Sequence, residues 1–306
     1  MANGVSMVSG TIGLAGVAGA AAGVALLRRN RPYLPAGHAI ARDADPLPPV
    51  LARGLAGLTV QVRPGPDDEL FIGPGEPVPG RTLSRLVLAP LLARARAHGG
   101  RLCRDQQVPF RLVVEFAGPD RDAALLLRAF HLLDRQLREA APLLSRCLDG
   151  HLEPGAVTVA ITGIVDVREL LATQRERYAF VDGTFDDLGS ATAPPMLVPM
   201  ISEPWARRFG WDGRDEIPAE ERHLLHALIR SAHSDGRTVR LVGLPAGPRR
   251  IRRAIWGEVL AAGADAVADL DQRGLARFLR QRPPAVVVAA RRPVGQSLPG
   301  PRAEPV

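Results

Sequence analysis

Several short apolar runs in this chain end in residues that can move protons or hold cations. Taken at the ends of those runs, in chain order, the residues are His38, Thr59 with Gln61, Glu115, Thr162, Asp182, Ser202 with Glu203, Gly243 and Asp269. A histidine close to a carboxylate can take and return a proton near neutral pH. Hard carboxylate oxygens can hold Ca²⁺ or Mg²⁺, but the second run, "GLTVQV", offers only the neutral Thr59 and Gln61. His223 and His226, with His233 further on, share one predicted helix. With no carboxylate at a matching position they read as a solvated helix face and not as a metal site. Asp186 and Asp187 read as a turn, and Glu115 as an ion-pair partner of Arg111 or Arg63. Trp205, Phe209 and Trp211 follow a strand, where the lip of a pocket would lie, and packing under a long loop accounts for them equally.

The runs that carry these residues are "GLTVQV", "FRLVVEF", "AVTVAIT", "YAFVD", "MLVPMIS", "TVRLVGL" and "ADAVAD". Several are nearly continuous Val, Leu and Ile, which suits parallel strands covered on both faces. Helical patterns separate them. "RDAALLLRAFHLLDRQLREAAPLLSRCL" has apolar residues at helical spacing, and "PAEERHLLHALIRSAHSDG" opens with Pro and acids and closes with Gly, as helix boundaries do. "GPRRIRRAIWGEVLAAG" and "DQRGLARFLRQ" follow the same plan. With a first strand at "YLPAGHA", the count comes to about eight β/α units over ~245 residues, the size of a TIM (β/α)8 barrel. One barrel over residues 32–282 is expected, between an N-terminal segment 1–31 and a Pro/Arg-rich tail 283–306. Within that tail "PAVVVAA" has no assigned place.

The 306 residues carry a formal net charge of +7, and every basic side chain is Arg. The arginines are spread along helices such as "LLRAFHLLDRQLREA" instead of forming a basic block interleaved with aromatics, so nucleic acid is not an expected partner. Cys103 and Cys147 lack metal-ligand spacing and are expected to be free, buried thiols.

From Met1 to Leu27 there is no charged side chain, and "RRNR" follows. An apolar run of more than ~20 residues can span a bilayer as one helix. Arginines after the run, not before it, argue for an uncleaved anchor with Arg28, Arg29 and Arg31 at the cytoplasmic face. Gly10, Gly13, Gly16, Gly19 and Gly23 offer a small-residue packing face within it. The expectation is a single-pass protein of the cell membrane, with the bilayer as partner and the side of the barrel open.

The phrases "PGRTLSRLVLAPL", "PGAVTVAITG", "LVPMISEPWARRFGW" and "RSAHSDGRTVRLVG" lie within a stretch from about Pro35 to Leu279 that resembles a superfamily. It is that of the phosphatidylinositol-specific phospholipase C-like enzymes and glycerophosphodiester phosphodiesterases. The nearest branch resembles bacterial relatives of the altered inheritance of mitochondria protein 6 group. The resemblance implies a His ending the first strand, where His38 stands, but the Asn-Asp-Tyr expected after it is Ala39, Ile40 and Ala41. The implied metal-holding Glu-x-Asp falls on Thr59 and Gln61, and the second catalytic His on the Pro74–Gly75 region. Glu115 matches an implied acid, Ala117 replaces a Lys, and a Trp would fall at Gly243.

In such enzymes one His takes a hydroxyl proton, another protonates the leaving alkoxide, and a divalent cation offsets the phosphate charge. Pro74 cannot donate a proton, and loss of the general acid alone costs ~10²–10⁴-fold. The expectation is therefore a degenerate site: a non-catalytic binder of a phosphorylated headgroup, or a scaffold, with no cofactor. His38 is the residual general-base candidate. Arg42, Arg63, Glu115 and Trp205 are the candidate ligand-binding residues, the arginines because guanidinium matches phosphate. The alternative is an altered but active phosphodiesterase using His38 and Glu115, with Ca²⁺ or Mg²⁺ held by relocated acids such as Asp43, Asp45, Asp67, Asp68 or Glu69.

Overall fold

The computed structural model describes residues 32–116, 123–162 and 167–282. The chain opens with β1 (Gly37–Ile40), α1 (Leu47–Arg53), β2 (Gly57–Pro64) and β3 (Leu70–Ile72). Next come α2 (Ala89–Ala97), β4 (Phe110–Phe116), α3 (Ala123–Glu139), β5 (Arg146–Leu148) and β6 (His151–Glu153). Then follow β7 (Val157–Thr162), α4 (Val167–Thr173), β8 (Glu176–Arg177), β9 (Ala179–Gly183) and β10 (Met200–Pro204). The last elements are α5 (Ala219–Ser234), β11 (Thr238–Val242), α6 (Arg249–Ala261), β12 (Ala266–Asp269) and α7 (Gln272–Arg280).

Strands β1, β2, β4, β7, β9, β10, β11 and β12 pair in that order, all parallel, and β12 returns to β1. The sheet is thus a closed barrel of eight parallel strands, as expected, with helices outside it. Alternation along each strand explains the two kinds of core. Leu58, Val60, Val62, Leu112, Val114, Val239 and Leu241 point outwards and join the large apolar core shared with the helices. Val113, Ala160 and Met200 form a separate small cluster inside the barrel, where side chains of the strands fill the lumen in layers.

The expected long helix through "APLLSRCL" is interrupted. Helix α3 stops at Glu139, and Arg146–Leu148 is a strand that hairpins with His151–Glu153 and pairs with β8. Pro142 cannot continue a helix. Asp149 and Gly150 turn the chain with φ of 49° and 78°. The first strand is also shorter than "YLPAGHA". Tyr33 and Leu34 instead brace the base, the end from which the strands start. Tyr33 N donates to Asp105 Oδ2 at 2.8 Å and Tyr33 Oη to the Val108 carbonyl at 3.0 Å.

Among the described residues no helix is long and apolar enough to cross a membrane. The expected anchor (1–31), the tail (283–306) and "PAVVVAA" lie outside the described residues. Cys103 and Cys147 are free and buried, as expected.

Candidate functional site

Inside the barrel, above the base, five strands converge on one guanidinium. Arg240 of β11 is buried, and its Nη1 donates to His38 Nε2 at 2.9 Å and to Thr59 Oγ1 at 2.8 Å. Its Nη2 donates to Asp182 Oδ2 at 2.9 Å and its Nε to Ser202 Oγ at 2.8 Å. Ser202 also donates a short hydrogen bond to Asp182, and His38 Nε2 lies 2.8 Å from Thr59 Oγ1. These contacts cross the lumen, because β12 separates His38 from Arg240. The barrel register sets Ala268 beside His38 and Ala266 beside Arg240, and two small side chains leave the guanidinium its space.

The geometry settles the state of His38. A guanidinium only donates, so Nε2 must accept and the ring proton sits on Nδ1. That buried Nδ1 has no hydrogen-bond partner. Burial pushes the His38 pKa well below the ordinary imidazole range, and the nearby positive charges of Arg240 and Arg111 push the same way. Gly57 makes room for this ring, since a Cβ there would stand 2.2 Å from His38 Nδ1. Burial raises the Asp182 carboxyl, against the opposing pull of Arg240, Ser202 and Thr162. Burial likewise lowers Arg240, with Asp182 pulling it back. Leaving either ion unpaired in such surroundings costs several kcal/mol, so the two hold each other charged.

The remaining candidates do not all converge. Glu115 stands in register beside Gln61 and Thr162, one layer nearer the mouth. Its expected ion pair with Arg111 or Arg63 is absent. Arg111 is four residues earlier on the same strand, about 13 Å away, and donates to the Pro35 carbonyl at 2.8 Å instead. Arg63 donates to the Gly75 carbonyl at 2.9 Å and lies 3.9 Å from Glu76, so it braces the loop after β3. Arg42 is exposed.

Trp205 is not a pocket lip. It is only 1% exposed, packs against the tilted rings of Phe209 and Trp211, and donates from Nε1 to the Trp211 carbonyl. An indole that finds both apolar cover and a carbonyl has no reason to face water. Asp186 and Asp187 close a single helical turn whose Thr184 and Asp187 cap one another, as a turn reading requires.

Arg240 was not among the candidates. Its signal in the sequence is a lone arginine in the middle of the apolar run "TVRLV", which a barrel strand can only turn inwards.

A divalent cation does not fit this donor set. Thr59 accepts from a guanidinium, Gln61 is neutral, and among the described residues no group of three His, Cys, Asp or Glu side chains could hold a metal. Of the relocated acids, Asp68 is clamped by Arg128 at 3.0 Å and, through its carbonyl, by Arg135 at 2.9 Å.

No protein-family profile matches the chain, and no curated protein does. Among solved structures it is similar to a putative glycerophosphoryl diester phosphodiesterase from Silicibacter pomeroyi DSS-3. The TM-score there is 0.47 at 12% identity, over 84% of this chain and 97% of that one. A glycerophosphodiester phosphodiesterase from Parabacteroides distasonis ATCC 8503 gives 0.45 at 11% identity, over 79% and 96%. Malate synthase from Haloferax volcanii gives 0.33 at 12%, over 84% and 72%.

Proposed function

We propose that this chain is a membrane-anchored barrel of the phospholipase C-like phosphodiesterase superfamily whose own site is not catalytic. One observation carries the reading: the Arg240 guanidinium sits among His38, Thr59, Asp182 and Ser202 and uses their polar atoms. A general base has to reach the proton that it removes. The Nε2 of His38 is fully buried and already accepts from the guanidinium. An internal cation fixed by the chain itself stands at the threonine that occupies a metal-ligand position in the resemblance. The barrel is then left as a binder of a phosphorylated headgroup at its mouth, near Arg42 and Arg63, or as a scaffold. The membrane part of the reading rests on the uncharged stretch from Met1 to Leu27 and the arginines after it.

The test is turnover of glycerophosphodiesters and phosphatidylinositol by the full chain, with Ca²⁺, with Mg²⁺ and with chelator, beside His38→Ala. The expected rate is indistinguishable from that of the variant, in protein shown to be folded. Metal-dependent turnover that His38→Ala abolishes would overturn the reading in favour of an active phosphodiesterase.

A further inference from the structure

We infer that the base of the barrel, and not its mouth, faces the membrane, seated on an anionic lipid surface by Arg96, Arg101 and Arg104. This rests on the membrane-anchored reading above. The N-terminal segment enters the described structure at the base. Pro32 lies against Gly54, where its carbonyl would stand 2.2 Å from an added Cβ. Tyr33 is pinned to Asp105 and Val108, and Leu34 N donates to the Gly54 carbonyl at 2.8 Å. Only residues 28–31 separate the uncharged stretch from this docked strap. Fully extended, they reach about 14 Å, less than the ~18 Å radius of gyration of a domain of this size. A short tether that enters at the base favours the base over the mouth as the face turned to the bilayer.

The charge of the base fits the same partner. Arg96 lies in the last turn of α2, and Arg101 and Arg104 lie in the loop that follows; all three are exposed, and among the described residues none makes an ion pair. Most acids around the base are already engaged, the exception being the exposed Glu139 at the end of α3, which makes no ion pair among the described residues. Asp149 holds Arg175, Glu153 and Glu176 hold Arg146, Asp235 holds Arg237, and Asp265 holds His233. The neighbouring Asp105 accepts the Tyr33 amide. Exposed arginines beside a membrane entry are attracted to anionic headgroups. The mouth then opens to water, so its ligand is a free phosphorylated headgroup or phosphodiester and not a lipid of the membrane beneath.

The experiment uses the full chain in vesicles of phosphatidylcholine and phosphatidylserine carrying a headgroup quencher. Cys103 and Cys147 are buried, and burial pushes the Cys103 thiol up to about 12, so an introduced cysteine takes the dye. The exposed Gln107 marks the base and the exposed Leu270, just past the end of β12, marks the mouth. Dye at Gln107→Cys should be quenched and dye at Leu270→Cys should not. High salt, or R96E/R101E/R104E, should relieve the quenching at Gln107 while the chain still floats with the vesicles. Quenching at Leu270, or quenching at Gln107 indifferent to both salt and the triple change, would overturn the proposal alone. A chain that does not float with the vesicles would overturn the proposal and the anchored reading together.

Discussion

Arg240 Nη1 stands 2.9 Å from His38 Nε2, across a lumen that neither strand could bridge alone. The contact fixes the imidazole as a neutral acceptor and makes a residue suited to proton transfer into part of a structural network.

Breaking that network from the cationic side should be costly. Arg240→Met leaves Asp182 buried without its counter-ion, and losing one partner of a buried pair costs about 3–5 kcal/mol. Chemical denaturation of Arg240→Met and of Arg240→Met/Asp182→Asn measures it. The double variant should recover a substantial part of the loss, and equal stabilities for the two would remove the charge-pair explanation.

Gly57→Ala tests the seat of the imidazole. Its Cβ would need the space of His38 Nδ1, 2.2 Å away, and overpacking of this kind costs about 1–3 kcal/mol. Adding His38→Ala should relieve most of that penalty, which a thermal melt of the three variants reads directly.

Two histidines should give opposite pH dependences. The His38 pKa is depressed, so its contribution is intact above the unfolded value of about 6.5 and is lost as pH falls below it. The pKa of His233 is raised by the hydrogen bond from Nε2 to Asp265 Oδ2 at 2.8 Å. Its contribution is full below about 6.5 and is lost as pH rises through the folded value. Stability measured from pH 5 to 8 should therefore lose its acid-side slope in His38→Gln and part of its alkaline-side slope in His233→Gln. Unchanged slopes would refute the two assignments.

Trp205→Ala should unfold the chain more easily by about 3–5 kcal/mol, as expected for a buried Trp. Phosphate or glycerophosphoinositol binding measured in the still-folded population should be unaffected. A selective loss of binding would return Trp205 to the ligand site.

Much of this was legible in the sequence. The apolar runs and the helix boundaries at Ala219–Ser234, Arg249–Ala261 and Gln272–Arg280 are local signals, and local signals suffice to predict alternating strands and helices. The departures from the implied catalytic pattern at Thr59, Gln61 and Pro74 are likewise plain from residue type alone. The hairpin at Arg146–Glu153 was less so, because its apolar residues continue the helical spacing of α3 and only Pro142 and the Asp149–Gly150 turn break it.

Which inward side chains meet was not legible, because that depends on closure. His38, Thr59, Asp182, Ser202 and Arg240 are spread over 202 positions of separation between the outermost pair, and no periodicity relates them. The sequence by itself determined which residues could face inwards, through the two-residue alternation of each strand. Only the closed barrel decided that Arg240 would lie between Asp182 and His38. It does so because the register of the parallel strands sets them at one height, and because Ala266 and Ala268 leave the middle of the lumen empty for a guanidinium to fill.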